Sequence, residues 1–245
     1  MNVYGLIGNP LGHSFSKQYF TGKFEKEQLK DCCFELYPLE DIQEFTSLLH
    51  RVASLKGLAV TIPYKETVIP FLDHIDETAS LIAAVNCIKI SAGKLTGYNT
   101  DSIGFERSLV PLLQSHHKRA LILGSGGSSR AVQFVLKKLG IDFLVVTRNN
   151  KPADGFIHYD AVDKHTIGQY PLIINCTPVG MFPNEADKPS IPYPYLNKDH
   201  LLFDLIYRPA ETSFLAEGLR YGAAVKNGYE MLVIQAEENW KIWNG

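Results

Sequence analysis

The sequence predicts an α/β protein built from two strand–helix units, and three observations carry that expectation. Short apolar runs of strand length alternate with segments whose apolar residues recur at helical spacing. Most of those runs end in Gly, Pro or Asn, the residues that punctuate loops. In the middle of the chain, Arg119-Ala-Leu-Ile-Leu-Gly-Ser-Gly-Gly-Ser-Ser-Arg-Ala131 joins an apolar run to a helical pattern through a glycine turn.

Taken in order, residues 3–8 read as a strand broken at Gly8-Asn9-Pro10, and Phe20 and Phe24 sit four apart on the helix that follows. Residues 32–39 form a second strand, and Asp41 with Glu44 opens a helix whose buried face is Ile42, Phe45, Leu49 and Val52. Gly57 releases a strand over 58–62, and Pro63-Tyr-Lys-Glu reads as the first turn of a helix. A strand at 84–90 turns through 91–94 into 95–101, and Asp101 opens a helix carrying Ile103, Leu109, Leu112 and Leu113. That helix is the expected connection between the units. After the glycine turn, Val132, Val135, Leu136 and Leu139 mark a helix stopped by Gly140, and residues 142–148 make the next strand. The pattern thins over 149–169, where the usual crossover helix is shortened or lost. Strands follow at 172–176 and 201–207, then a helix at 212–221 and a short strand at 223–226. The last helix has Leu232, Ala236, Trp240 and Trp243 along one stripe.

Within this frame some polar residues stand out. Ser14 and Ser16 crowd a loop after the first strand, where sites are built, although serine is also a preferred helix cap. Lys65 would place a cation at a helix start, which the helix dipole disfavours; it is either a surface lysine or one held beside a pocket. Asn86 lies in an apolar strand and needs partners. Asp101 suits a helix cap as well as a site, and Gln235, adjoining the apolar stripe of the last helix, reads as a boundary glutamine. In the glycine turn, Gly124 permits the bend, Gly126 lets a pyrophosphate approach the backbone, and the helix start aims N–H groups at the anion. The third position of the pattern is Ser129. Arg148 ends the second strand where an NAD site would carry an acid; it is either a solvated strand end or a partner for the 2′-phosphate of NADP.

Composition excludes several classes. With 45% hydrophobic and 20% charged residues and a net charge of -2, the chain reads as an ordinary soluble protein. It lacks the basic patch that nucleic acid or an anionic membrane would need, so a small molecule is the expected partner. No signal pattern or spanning apolar run appears, which makes a cytoplasmic location the expectation. Cys32, Cys33, Cys87 and Cys176 show no metal-ligand spacing, so no metal site is expected and the thiols read as packing residues.

Eight motifs in order carry a resemblance over nearly the whole chain: Gly8-Asn-Pro-Leu-Gly-His-Ser-Phe-Ser16, Val60-Thr-Ile-Pro-Tyr-Lys65, Ala84-Val-Asn-Cys-Ile88, Gly97-Tyr-Asn-Thr-Asp101, the glycine turn, Asn175-Cys-Thr-Pro-Val-Gly-Met181, Asp204-Leu-Ile-Tyr-Arg-Pro209 and Asn227-Gly-Tyr-Glu-Met-Leu-Val-Ile-Gln235. In these the sequence resembles the shikimate dehydrogenases. The resemblance implies an N-terminal α/β substrate domain (residues 1–101 with 229–245), a Rossmann-like NADP-binding domain (102–228), and a C-terminal helix returning to the first. It implies NADPH-dependent, reversible reduction of 3-dehydroshikimate to shikimate in aromatic biosynthesis, by a monomer or homodimer. Lys65 and Asp101 would be the catalytic pair; Ser14, Ser16 and Tyr207 would grip the substrate carboxylate; Thr61, Asn86, Asp101 and Gln235 would bond the ring hydroxyls. Gly124, Ser125, Gly126, Gly127, Ser128, Thr147, Arg148, Asn149, Lys151, Thr177 and Gly228 would line the cofactor side. Departures from the family pattern include Ala59 for an asparagine, Lys17 for a proline, Thr147 and Asn149 around Arg148, and Tyr229-Glu230 for small residues, which puts an acid on the expected nicotinamide side. The rival readings are a quinate/shikimate dehydrogenase using NAD and a non-catalytic dinucleotide-binding relative, the latter opposed by the retained Lys65 and Asp101.

Overall fold

A computed structural model of the chain describes residues 1–12, 14–148 and 154–245. The chain divides into two compact units, 1–100 with 235–245, and 101–234.

The first unit runs β1 (Asn2–Gly8), α1 (Phe15–Lys26), β2 (Cys32–Pro38), α2 (Glu44–Arg51), β3 (Leu55–Val60), β4 (His74–Ile75), α3 (Glu77–Ile82), β5 (Cys87–Ser91) and β6 (Lys94–Tyr98). Its sheet has the order β2-β1-β3-β5-β6-β4. β1 pairs in parallel with both β2 and β3, whereas β5 is antiparallel to β3 and β6. The β5–β6 turn places Ala92 and Gly93 at positive φ, the conformation a two-residue hairpin turn demands. Because β1 and β3 are covered on both faces, they read as continuous apolar runs rather than alternating ones.

Two sequence expectations fail here, and a third holds with its helix start shifted. Residues 61–68 form turns instead of a helix starting at Pro63. Val68 N–H does reach Tyr64 C=O at 3.0 Å, but Pro70 has no N–H to continue a ladder, and the segment closes as a 3₁₀ turn at Ile69–Phe71. The helix-dipole objection to Lys65 therefore does not arise. Asn86 lies just before β5, not inside a strand, although its backbone still bonds Val60 N–H and Tyr98 C=O. Finally, α2 begins at Glu44, with Glu44 reaching back to Asp41 N–H and Asp41 accepting from Gln43 N–H.

The second unit contains α4 (Asp101–Leu109), β7 (Arg119–Leu123), α5 (Gly127–Lys138), β8 (Asp142–Thr147), β9 (Phe156–His158), α6 (Lys164–Gln169), β10 (Leu172–Asn175), β11 (Leu201–Asp204), α7 (Ser213–Arg220) and β12 (Ala224–Lys226). The last helix, α8 (Tyr229–Asn244), starts in this unit and from Gln235 onward groups with the first. All pairings in the sheet are parallel, in the order β12-β11-β10-β7-β8-β9. Counted from β7, that is the 3-2-1-4-5-6 order of dinucleotide-binding sheets. β9 is a strand that sequence patterning passes over, because three half-buried residues offer no periodicity to detect. Only residues 148–155 separate β8 from β9, fewer than a helical crossover normally takes. The second expected strand end also moves: β11 stops at Asp204, leaving Tyr207 in the loop beyond it.

The end of α8 is held by an aromatic cluster in the first unit. Trp243 stacks on Tyr4 with ring centroids 5.2 Å apart, and Trp240 meets Phe24 at 5.3 Å. Gly57 lets the indole approach, since a Cβ there would fall 2.2 Å from Trp243. Trp243 Nε1 donates to Ile88 C=O at 3.1 Å, so the buried indole leaves no polar atom unpaired. Cys87 is buried in the same cluster and its thiol is pushed well up by burial, in line with a packing role. We expect Trp243→Ala to cost about 3–5 kcal/mol of first-unit stability, the range for truncating a buried aromatic, read as a lowered urea midpoint.

Candidate functional site

In the first unit the site residues gather where parallel strands end, the place ligands occupy in open α/β sheets. β1 ends at Gly8, where a Cβ would come within 2.4 Å of Thr61 Cγ2, so glycine is what lets Thr61 sit against the strand end. Thr61 N–H donates to Ile7 C=O at 2.9 Å, continuing the β1–β3 ladder by one residue. Lys65 C=O accepts from Val85 N–H at 2.7 Å, which pins its turn beside Asn86. Lys65 itself is half-buried.

Asn86 and Gln235, 149 residues apart, meet in a buried polar cluster. Asn86 Oδ1 accepts from Thr100 N–H at 2.7 Å, and its Nδ2 donates to Thr100 Oγ1 at 2.9 Å and to Gln235 Oε1 at 3.4 Å. Thr100 Oγ1 donates to Asn239 Oδ1 at 2.6 Å, and Asn239 Nδ2 donates to Gln235 Oε1 at 3.3 Å. Thr100 and Asn239 are not among the residues that stand out in the sequence. A signal is there for Asn239: a poor helix former four residues after Gln235, in the stripe that also holds Ala236 and Trp243.

Ser14 occupies the N-cap position of α1 but makes no side-chain capping bond, so the bland reading of this serine fails. Its Oγ is buried and has no partner among the described residues. Such an atom costs about 1–3 kcal/mol unless something supplies a bond. Ser16 is the second residue of α1 and is half-buried.

In the second unit Asp101 is the first residue of α4 and is buried. The glycine turn lies at the carboxyl end of β7, next to β10, where the strand order reverses. Gly124 has φ +102°, and a Cβ on it would fall 2.8 Å from Thr177 Cγ2. Gly126 is the N-cap of α5 with no side-chain cap, the first turn carries no acid, and a Cβ at Gly126 would project into open space. A 12-residue helix whose start has no capping side chain and no acid in its first turn fits an anionic phosphate. Ser129 is fully buried and bonded by Gln133 Nε2 at 3.1 Å, so a small residue serves where the third glycine would let helix and strand close together. Gly127 and Ser128 begin the helix and Ser125 is exposed just before it. Thr147 is buried at the end of β8 and Arg148 is exposed beyond it; Asn149 and Lys151 lie outside the described residues.

Thr177 is braced from below. Its hydroxyl donates to Asn175 Oδ1 at 2.6 Å, and Asn175 Nδ2 donates to Asp204 Oδ1 at 3.0 Å. Asp204 also accepts from Thr212 Oγ1 at 2.6 Å and Ile206 N–H at 3.0 Å. Burial pushes this carboxyl up to about 6, against the three donors that pull it down. Gly228 presses on Leu205, where a Cβ would fall 2.1 Å from the carbonyl oxygen. Tyr207 is half-buried in the loop before it. Glu230 is exposed and paired with Lys226, so its charge is met locally. Among the described residues no group of His, Cys, Asp and Glu could hold a metal ion, and no helix is long and apolar enough to cross a membrane.

Strand order, switch-point glycine turn and uncapped helix make the second unit a Rossmann-type dinucleotide-binding module. Residues 6–88 match the family model described as the shikimate dehydrogenase substrate binding domain. The shikimate dehydrogenase (NADP(+)) of Methanococcus maripaludis is 36% identical over 257 aligned positions, covering 99% of this chain and 92% of that protein. The crystal structure of shikimate dehydrogenase from Aquifex aeolicus superposes with a TM-score of 0.89 at 33% identity, covering all of this chain and 93% of the other. That from Thermus thermophilus, in complex with NADP(H) and shikimate, gives 0.86 at 28% identity, with 100% and 94% covered. The chain belongs to the shikimate dehydrogenase family.

Asp204 predicts a pH dependence. Its folded value lies above the unfolded one, so between about pH 4 and pH 6 the folded state keeps a proton that the unfolded chain has released. Over that window the group withdraws stability as pH rises, by up to about 1.4 kcal/mol per pH unit. Whatever Asp204→Asn costs at one pH, denaturant titrations at pH 4, 5 and 6 should show this slope flattened.

Proposed function

We propose that the protein is an NADP-dependent shikimate dehydrogenase, reversibly reducing the ketone of 3-dehydroshikimate to the alcohol of shikimate. It acts in the cytoplasm, as a monomer or homodimer, within aromatic biosynthesis. The first unit serves as the substrate domain and the second as the cofactor domain. The observation that carries the reading is the buried hydroxyl of Ser14 on the loop after β1, without a partner among the described residues, in a chain of this family. A substrate carboxylate oxygen accepts a hydrogen bond from that hydroxyl, with Ser16 and Tyr207 completing the grip. Neutral hydroxyls position the anion and leave its charge for long-range attraction.

On the cofactor side, the helix start after Gly126 receives the pyrophosphate, and Arg148 with Asn149 and Lys151 receives the 2′-phosphate, where an acid would have favoured NAD. NADPH held there would supply the hydride that the carbonyl carbon accepts. Lys65 Nζ donates the proton as negative charge develops on the carbonyl oxygen, a contribution of about 10²- to 10⁴-fold for general acid catalysis. Asp101 orients that ammonium, and Thr61, Asn86 and Gln235 bond the ring hydroxyls.

The direct test is an absorbance assay of NADPH consumption with 3-dehydroshikimate. Absence of turnover with either NADPH or NADH overturns the enzyme reading, and preference for NADH overturns the role of Arg148. Lys65→Ala should lower kcat by at least about 100-fold with a modest change in KM. Ser14→Ala should instead raise KM for shikimate by about tenfold and, having removed a buried hydroxyl with no partner among the described residues, leave the thermal midpoint of the ligand-free protein unchanged or raised.

A further inference from the structure

We propose that Asn239 is a positioning residue that decides which end of the Gln235 amide is offered to the substrate. The inference rests on the reading of Gln235 as a ligand of the ring hydroxyls. The chain of bonds starts from a group that cannot turn round, the backbone N–H of Thr100. At 2.7 Å from that donor, the Asn86 side-chain atom has to be the acceptor Oδ1. The other end of the same amide, Nδ2, then donates to Thr100 Oγ1 at 2.9 Å.

A hydroxyl has one proton, and the shortest acceptor for it is Asn239 Oδ1, at 2.6 Å against 3.2 Å to Asn86 Oδ1. In this arrangement the Asn239 amide has its oxygen towards Thr100 and Nδ2 towards Gln235, 3.3 Å away. Nδ2 can only donate, so the atom facing it is Gln235 Oε1. Asn86 Nδ2 points at the same oxygen from 3.4 Å. Turning Gln235 round would set its NH₂ against two other donors in a buried site, leaving desolvated groups unbonded. The polarity of Gln235 is therefore relayed from one backbone amide through Asn86, Thr100 and Asn239. With Oε1 committed inward, Nε2 is the end directed elsewhere, and it meets a substrate hydroxyl as a donor to its lone pair. The hydroxyl's own proton is left for an acceptor such as a carboxylate.

Three measurements test this. Neutron diffraction of ligand-free wild-type crystals exchanged into D₂O should place deuterons on the Gln235 atom farther from Asn239; deuterons on the nearer atom overturn the inference whether or not the protein turns over shikimate. In steady-state oxidation of shikimate with NADP⁺, Asn239→Asp keeps the volume and the acceptor for Thr100 but cannot donate to Gln235. It should raise KM for shikimate about tenfold, leave KM for NADP⁺ unchanged and alter kcat less than about threefold. Asn239→Leu, which carries no buried charge, should give a rise of a few-fold and covers the case in which the aspartate does not fold. Either effect should vanish in a Gln235→Ala background, because the residue acts through that amide. A rise of equal size in that background, or none in wild type, overturns the positioning role. A wild-type protein without turnover would overturn the proposed function, while the deuteron positions would still decide the relay.

Discussion

The contact on which the first unit's site depends is Trp243 against the bare backbone of Gly57. β3 can receive an indole at that point only because residue 57 has no side chain, and the indole nitrogen finds Ile88 C=O at the edge of β5. With Tyr4, Phe20, Phe24, Phe34 and Trp240, this makes the end of α8 part of the first unit's core. One and two turns back along that anchored helix, Asn239 and Gln235 face inward on the same stripe. The burial of aromatic surface at one end thus fixes polar groups at the other, and it brings two amides 149 residues apart within hydrogen-bonding distance.

Both units build their candidate sites at the carboxyl ends of parallel strands, by different means. In the first, the ends of β1 and β3 are stitched to the turn at 61–65 by backbone bonds, and side chains project from those fixed points. In the second, what is offered is largely backbone: a glycine at positive φ, an open helix start and a bracing stack of Thr177, Asn175 and Asp204. The division suits their partners. A ring with several hydroxyls is read by many directed side-chain groups, whereas a pyrophosphate is held by a row of N–H dipoles. Asn175, Asp204 and Thr212 are fully buried and hydrogen-bonded, and they hold the half-buried Thr177 after β10 against the glycine turn with no cation beside the carboxylate among the described residues.

Local pattern and tertiary context divide unevenly across the chain. The strand–turn–helix at 119–139 is legible because its apolar run, glycines and helical spacing agree with one another. The turn at 61–68 is misread from sequence because Pro63 is as good a helix start as it is a turn residue; Pro70 and the bond of Tyr64 hydroxyl to Leu39 C=O decide for turns. β9 escapes notice since its three residues become a strand only by pairing with β8. Ser14 has the chemistry of a helix cap, and the observed helix start leaves its hydroxyl unspent.

By itself the sequence determined the α/β class, the alternation into two units, the glycine turn between strand and helix and the residue types capable of the chemistry. These follow from periodicities of a few residues and from side chains whose properties travel with them. Only the tertiary structure decided that Thr100 and Asn239 join Asn86 and Gln235, and in which sense their hydrogen bonds run. The direction of a buried hydrogen-bond chain is set by the one donor in it that cannot rotate. That donor acquires its partner only when segments distant in sequence are packed together.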